Sequence, residues 1–221
     1  LAIKFIFGVM HYEVAGLAQM LAAGQGVFAD PAVVAAAQKA LDAATINGDT
    51  WIHLNNPNGP ATFMYVWVGA FVGALIRPVG GMIADKVGGA IVTQVVAVVM
   101  TLSAVGVGYY SSLAYQSNSP EEFFMPFFVL IVVLFAATGV GNGSTFRTIS
   151  MVFNAEQAGP VLGWTSAVAA YGAFLVPKLI GEQMKAGAPE IAMYGLAVFY
   201  AICAILNWWY YLGPKAEFKN P

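Results

Sequence analysis

Long runs without charged residues constrain this chain more than any other feature of its sequence. Charged residues make up 9% of the 221 positions and hydrophobic residues 59%, and the mean hydropathy is +0.73. A soluble domain carries about 25% charged residues because its surface faces water. The surface of this chain must largely face another medium, so the sequence predicts an integral membrane protein.

Five apolar spans are long enough to cross a bilayer, whose roughly 30 Å hydrocarbon core requires about 20 residues of helix. The predicted spans cover about 61–84, 90–113, 123–153, 161–180 and 191–212. They predict an all-α fold, a polytopic helix bundle in the lipid bilayer. Residues 1–7 predict the end of a further membrane helix, so we expect the chain to be a fragment.

Residues 8–60 have a different composition, with Ala-rich helical stretches and clusters of turn residues. We predict that residues 1–60 comprise the end of a membrane helix and an enlarged extracytoplasmic loop with a short amphipathic helix near 31–45. His11 and His53 are about 40 residues apart with no cysteine nearby. Solvated or interfacial histidines are therefore favoured over a metal site.

Several classes of function are disfavoured by composition. The net charge of −2 gives no basic surface for nucleic acid. The single cysteine, Cys203, lies in an apolar run and predicts a small buried side chain, neither half of a disulfide nor a metal ligand. No nucleophile, base or metal cluster lies in a plausible pocket. We expect no enzyme activity, no cofactor and no metal.

Arg77 is the one charge that lies deep in a predicted span. It precedes the end of that span by about eight residues, roughly 12 Å of helix, and no acidic residue shares any of the five spans. Placing a charge there costs about 2.5–3.5 kcal/mol even on a lenient scale. A guanidinium donates hydrogen bonds in a planar fork that suits a small oxyanion. We predict a buried anion ligand; the alternative is an arginine that snorkels or binds helix-end carbonyls.

A loop motif follows Arg77. Gly81, Asp85, Lys86 and Gly88 form the pattern G-x-x-x-D-[RK]-x-G, which resembles the short cytoplasmic-loop motif of the major facilitator superfamily. The resemblance implies a tight cytoplasmic turn whose acidic residue caps a neighbouring helix. Pro78 can break the helical hydrogen-bond ladder, so this helix is predicted to be a gating element. The basic residues divide four against four and give no orientation of their own.

The third span carries a more specific pattern, Gly139-Val-Gly-Asn-Gly-Ser-Thr-Phe146, with Asn142 and Ser144 inside it. Together with the stretch that ends in Arg77, it resembles the C-terminal half of the nitrate/nitrite porter family. The resemblance implies that Arg77 is the essential arginine of helix 8, with Asn142 and Ser144 as candidate substrate-binding residues. A second essential arginine would lie in the N-terminal six-helix half, which is the expected partner.

The fourth span matches the position of that family's second nitrate signature. Gly163, Ser166 and Gly172 are the candidate residues there, while Ala169 and Ala173 stand where the family pattern has glycine. Small residues would let the backbone approach an anion or let helices slide past one another. Ordinary tight packing is an equally good explanation.

The resemblance implies movement of nitrate and nitrite across the inner membrane by alternating access. The five spans contain no Asp, Glu or His, which favours nitrate/nitrite antiport over proton-coupled symport. A transporter for another small anion, an anion channel and a non-transporting respiratory subunit are the alternatives. A channel would favour a ring of charges, and the respiratory subunit would need haem-ligating histidines in the spans.

Overall fold

The computed structural model describes residues 2–24, 26–214, 216 and 218–221. Over these residues the elements are α1 (Ala2–Phe7), β1 (Val9–Glu13), α2 (Val14–Ala23), α3 (Pro31–Asn47), β2 (Trp51–Asn55), α4 (Thr62–Val87), α5 (Gly89–Gln116), α6 (Phe124–Val152), α7 (Ala155–Lys185) and α8 (Pro189–Asn207). Short 3₁₀ turns cover Gly26–Ala29 and Pro120–Phe123, and a π-helical turn, Trp208–Leu212, follows α8.

The predicted fold class, an all-α membrane helix bundle, is confirmed. Among the described residues, α4 to α8 are the five helices that are long and apolar enough to cross a bilayer, and each contains one predicted span to within a few residues. α4, α5 and α7 extend beyond the predicted apolar spans, whereas α6 matches its span to one residue and α8 ends before residue 212. In α7, Asn154 caps the first turn by accepting a hydrogen bond from the Gln157 N–H at 3.0 Å, so the helix begins well before residue 161.

The chain divides into two compact units. Unit 1 comprises the described residues of 1–62 together with 110–125, and unit 2 comprises 63–109 and 126–221. Unit 1 therefore holds the first five elements and the last turns of α5, whereas unit 2 holds most of the membrane-spanning helices.

Unit 1 contains a folded module where we predicted a loop with one short helix. Strands β1 and β2 pair antiparallel, with His11 opposite His53. One face of this hairpin packs against α2 and α3 around a core of Met10, Tyr12, Leu17, Phe28, Ala37, Ala44, Ile52 and Leu54. The loop prediction was incomplete because two five-residue strands give weak patterns, and their pairing partners are about 40 residues apart along the chain.

The other face of the hairpin carries the histidine pair. The His11 and His53 Nδ1 atoms are 2.9 Å apart, and the His11 ring stacks on Tyr115 with centroids 4.0 Å apart. His53 is exposed but His11 is only 6% exposed, so the expectation of a solvated or interfacial histidine was wrong for His11. Burial, and secondarily the nearby His53, lowers the pKa of His11 from 6.5 to about 4.

In unit 2, α4 and α6 approach closely through glycines. Gly69, Gly73 and Gly80 form the buried face of α4. A Cβ atom at Gly80 would lie 2.6 Å from the Val140 Cα, and one at Gly139 would also overlap α4. Small residues permit such close backbone contact, so the two helices that carry the predicted site motifs lie side by side.

The remaining helices are covered to different degrees. Val92 and Val96 of α5 join Ala84 and Ala137 in an apolar cluster between α4, α5 and α6. By contrast, none of the most apolar stretch of α7 is buried within the chain. Most of the surface of α7 is therefore not covered by other residues of this chain.

Candidate functional site

A cavity of about 730 Å³ lies within unit 2, between all five long helices. Its lining residues are Arg77, Thr93, Val96, Ala97, Met100, Thr138, Gly141, Asn142, Thr145, Phe146, Thr165, Ser166, Ala169, Phe199, Tyr200 and Cys203. Most of the wall is apolar, with hydroxyl and amide groups at intervals. We call this space the central cavity.

Arg77 is the one charged residue among these lining residues. In the part of the chain that the structure describes, no salt bridge to Arg77 is found. Arg77 is exposed in the chain by itself. The described residues therefore do not bury it, and its burial stays a prediction that depends on what surrounds α4. α4 continues as a helix through Pro78, which has no N–H to donate and leaves the Ala74 carbonyl without its usual helical partner.

Asn142 enters the cavity because of the close packing of α4 and α6. A Cβ atom at Gly143 would lie 2.5 Å from the Arg77 carbonyl oxygen, so the backbones touch beside the arginine. Asn142 precedes this contact and lines the same cavity as Arg77. The amide of Asn142 carries both donors and an acceptor.

Ser166 joins these two residues from α7, with Thr165 beside it in the lining. Gly163 and Gly172 do not line the cavity, and a Cβ atom at either would have no neighbour within 4 Å. The structure thus brings Arg77, Asn142 and Ser166 to one space but leaves the two α7 glycines outside it.

Ser144 lies on the opposite, buried side of α6. Its side chain is fully buried, and its Oγ lies 2.9 Å from the Thr93 Oγ1 and donates to the Gly141 carbonyl at 3.0 Å. These contacts join α6 to α5. In this chain Ser144 therefore has a packing role and no exposure to the central cavity.

The loop motif at the end of α4 makes a contact that sequence analysis did not predict. Asp85 Oδ1 lies 2.6 Å from the Nε of Arg147 on α6, an ion pair between two helix ends. The Arg147 side chain is 23% exposed and the Asp85 side chain 63% exposed. Surface pairs of this kind stabilise a protein by about 0–1 kcal/mol, so the pair positions the helix ends more than it stabilises the fold.

The other motif residues lie around the α4–α5 turn. Gly88 has φ +100°, a conformation that favours glycine. Lys86 is exposed, and a Cβ atom at Gly81 would have no neighbour within 4 Å. Of the two motif glycines before α5, Gly88 is therefore the one that the backbone requires.

Several cavity residues were missed by sequence analysis. Thr93, Thr138, Thr145, Thr165 and Tyr200 add polar groups to the wall. Thr93 and Thr138 lie in largely apolar runs, whereas Thr145 and Thr165 lie inside the two motif segments but were not singled out. A threonine is a weak signal because its hydroxyl can bond its own helix; Thr145 does so with the Gly141 carbonyl at 2.8 Å. Tyr200 carries no distinguishing signal in the sequence.

A second, smaller space adjoins the central cavity. This lower cavity, of about 360 Å³, is lined by Thr93, Thr145, Thr148, Ile149, Cys203, Leu206, Asn207, Tyr210 and Tyr211. Thr93, Thr145 and Cys203 belong to both linings. Cys203 was predicted to be a small buried side chain but is partly exposed, because it faces both spaces. Among the described residues, no three His, Cys, Asp or Glu side chains are grouped so as to hold a metal ion.

Comparison with curated proteins gives related sequences for most of the chain. It is 45% identical over 159 residues to the probable nitrate/nitrite antiporter NarK2 of Thermus thermophilus, which covers 72% of this chain and 35% of that protein. It is 31% identical over 167 residues to the nitrate/nitrite transporter NarU of Escherichia coli, covering 65% of this chain and 35% of that protein. Over the matched residues, the chain is homologous to nitrate/nitrite transporters. No family model matches.

This homology confirms the resemblance inferred from the motifs. A more distant relative, the nitrite extrusion protein of Bacillus subtilis, is 28% identical over 141 residues, 63% of this chain and 33% of that protein. The chain spans about a third of the length of the curated relatives it matches. All three relatives are named as transporters or extrusion proteins and none as an enzyme. The chain is a multi-pass membrane protein.

Proposed function

We propose that the transporter to which this chain contributes exchanges nitrate and nitrite across the bacterial inner membrane, with Arg77 as an anion ligand. The observation that carries the proposal is the charge of the central cavity. Arg77 supplies a permanent positive charge to a wall whose described lining residues include no carboxylate. In a site of low dielectric constant, that charge attracts an anion strongly.

The lining groups suit a small planar oxyanion. The guanidinium donates two parallel hydrogen bonds to a pair of oxygen atoms, and the Asn142 amide and the hydroxyls of Thr165 and Ser166 are further donors in the same cavity. Nitrate and nitrite are flat and accept hydrogen bonds at each oxygen. The largely apolar remainder of the wall offers little to a bulky polar substrate.

The cavity needs a further wall to hold so small an anion. Its volume of about 730 Å³ exceeds that of nitrate many times, and Arg77 is exposed in the chain alone. We propose that the N-terminal six-helix half completes the cavity and that closure around the anion occludes it. A second arginine there would repel Arg77 when the cavity is empty, so an anion between them would favour closure.

Exchange is favoured over proton symport by the chemistry of the lining. The described lining residues include no Asp, Glu or His, so these helices offer no proton carrier beside the anion. If the transporter closes only around an anion, it can change its orientation only when an anion is bound. Each inward step with one anion is then followed by an outward step with another, which is antiport. A proton-coupled nitrate symporter would need its titratable group in the other half.

The test is counterflow of labelled nitrate into proteoliposomes of the full-length transporter. We expect Arg77→Lys to lower exchange at least about tenfold, because an ammonium retains the charge but loses the planar fork. Lys178→Arg is the matched control, since Lys178 is an exposed basic residue of α7 outside the central cavity. Normal exchange by Arg77→Lys would refute the bidentate ligand.

A second arm of the same experiment separates antiport from symport. Vesicles loaded with nitrite and vesicles without internal anion are each given external nitrate, with and without an inward proton gradient. Antiport predicts uptake only into nitrite-loaded vesicles, whatever the gradient. Uptake driven by the proton gradient into vesicles without internal anion would favour the symporter.

A further inference from the structure

The C-terminal residues Asn220 and Pro221 make three hydrogen bonds to the α4–α5 turn and one to Tyr211, in the turn that follows α8. The Asn220 side chain donates to the Val87 carbonyl at 2.8 Å and accepts from the Ile91 N–H at 3.1 Å. The Gly89 N–H donates to the Pro221 carbonyl at 2.6 Å, and the Asn220 N–H donates to the Tyr211 carbonyl at 3.0 Å. The partners on the α4–α5 turn are about 130 positions away in sequence, so those three contacts are tertiary.

The first two contacts cap two helices with one side chain. Val87 is the last residue of α4, and its carbonyl has no partner within that helix. Ile91 lies in the first turn of α5, where the N–H groups also lack helical partners. The residue at the N-cap position of α5 is Gly88, which has no side chain to supply an acceptor. Asn220 supplies from elsewhere in the chain the cap that Gly88 cannot provide.

The fit between Gly88 and Asn220 is close. A Cβ atom at Gly88 would overlap the Asn220 side-chain amide, and Asn220 itself has φ +50°, a conformation that asparagine tolerates better than most residues. Gly88 and Asn220 therefore both have a positive φ, which glycine and asparagine tolerate better than most residues, and these backbone conformations permit the contact.

The tail joins two walls of the lower cavity. Tyr211, which accepts from the Asn220 N–H, lines that cavity from the end of α8, and Thr93 lines it from the start of α5. Asn207 adds to the same connection, because its side-chain amide donates to the Ala90 carbonyl and to the Gln94 Oε1, each at 2.9 Å. The tail and Asn207 therefore connect the end of α8 to the start of α5 beside the lower cavity.

We propose that Asn220 is a positioning residue for transport: with Pro221 it straps the α4–α5 turn to the end of α8 and restricts access to the central cavity through the lower cavity. The inference rests on the proposed function for its consequence in transport. The last turn of α4 carries Asp85, whose ion pair with Arg147 joins α4 to α6. The loop motif therefore joins α4 to α6 through an ion pair, and Asn220 and Pro221 join the same end of α4 to the end of α8.

Cys203 reports on this access because it lines both cavities. The test measures the rate of alkylation of Cys203 by a maleimide in the full-length transporter in proteoliposomes, with the labelled peptide identified by mass spectrometry. We expect Asn220→Ala to accelerate labelling about five- to twenty-fold, because two side-chain hydrogen bonds are lost and each typically changes an equilibrium about fivefold. Phe218→Ala, an exposed residue of the same tail, is the matched control and should label at the wild-type rate.

Asn220→Asp separates a positioning role from general destabilisation. A carboxylate still accepts from the Ile91 N–H and is favoured at a helix N-terminus, but it cannot donate to the Val87 carbonyl. One of the two side-chain hydrogen bonds is kept, so we expect a labelling rate between those of wild type and Asn220→Ala, about two- to fivefold above wild type. Labelling of Asn220→Ala at the wild-type rate, or equally fast labelling of the Ala and Asp variants, would overturn the proposal.

Measuring Cys203 labelling with and without nitrate separates the proposed role of Asn220 from the proposed anion site at Arg77. The effect of Asn220→Ala is measured without substrate, so it does not depend on nitrate binding. Slower labelling of wild-type Cys203 in saturating nitrate supports the anion site. If nitrate gives no protection while Asn220→Ala still accelerates labelling, the strap stands and the proposed anion site fails.

Discussion

Neighbouring residues of α4 have opposite packing requirements. Gly80 is buried against α6, where a Cβ atom would lie 2.6 Å from both the Cα and the carbonyl oxygen of Val140. Gly81 faces open space, with nothing within 4 Å of such an atom. The loop-motif pattern includes Gly81 but not Gly80, so the pattern and the packing select different glycines.

We therefore expect Gly80→Ala to destabilise the full-length transporter by about 1–3 kcal/mol, since α4 and α6 must move apart to admit a methyl group. Gly81→Ala should leave stability unchanged or slightly raised, because alanine is the better helix former. Thermal unfolding in detergent measures both. Equal melting temperatures for the two variants would show that α4 and α6 do not pack through Gly80.

At the scale of elements, one buried histidine joins the hairpin of unit 1 to α5. His11 stacks on Tyr115 near the end of α5 and is paired with His53 across the strands. The Asn56 amide adds a nearby connection, donating to the Phe7 carbonyl at 2.9 Å and to the Glu121 Oε2 at 2.6 Å. The hairpin is thus fixed to α1, to α5 and to the turn before α6 by polar and aromatic contacts.

This arrangement predicts a pH dependence of the hairpin. The folded-state pKa of His11 is about 4, below its ordinary value of 6.5, so the unfolded state binds a proton more readily. The free energy of unfolding should be constant above pH 6.5 and decrease on acidification toward pH 4, by at most about 1.4 kcal/mol per pH unit. Hydrogen exchange of the amides of β1 and β2 in the full-length transporter measures the change.

His11→Gln is the variant that isolates this group. It cannot titrate, so protection of the hairpin amides should vary much less between pH 6.5 and 4.5 than in the wild type. An acid-induced loss of protection that persists unchanged in His11→Gln would assign the pH dependence to another group.

At the scale of the whole molecule, α7 is the least covered of the five membrane-spanning helices that the structure describes. Exposed aromatic residues, Trp164, Tyr171 and Phe174, lie on it together with the uncovered glycines 163 and 172. An apolar helix whose small residues have no neighbour within the chain suits close contact with another helix. In the proposed transporter, the N-terminal half supplies that contact.

We accordingly expect Gly163→Leu to lower nitrate exchange by the full-length transporter at least about fivefold, since a large side chain would separate α7 from a closely packed neighbour. Gly181→Leu, near the end of the same helix and also without neighbours within 4 Å, is the control and should exchange normally. Wild-type exchange by Gly163→Leu would place Gly163 away from any contact between the halves.

The sequence alone determined the membrane class, the five spans and the relationship to nitrate/nitrite transporters. These depend on composition along the chain and on local motifs, because a bilayer imposes span length and absence of charge residue by residue. It also singled out Arg77, since an unpaired charge in an apolar run is conspicuous without any knowledge of packing.

Only the tertiary structure decided which motif residues share a space. Arg77, Asn142 and Ser166 line one cavity, whereas Ser144, two residues after Asn142, faces the other side of α6. The hairpin in unit 1, the Asp85–Arg147 pair and the cap that Asn220 places on α5 were also outside the reach of sequence analysis. Each joins residues that are tens of positions or more apart, and their pairing depends on helix rotation and close approach, which no local pattern encodes.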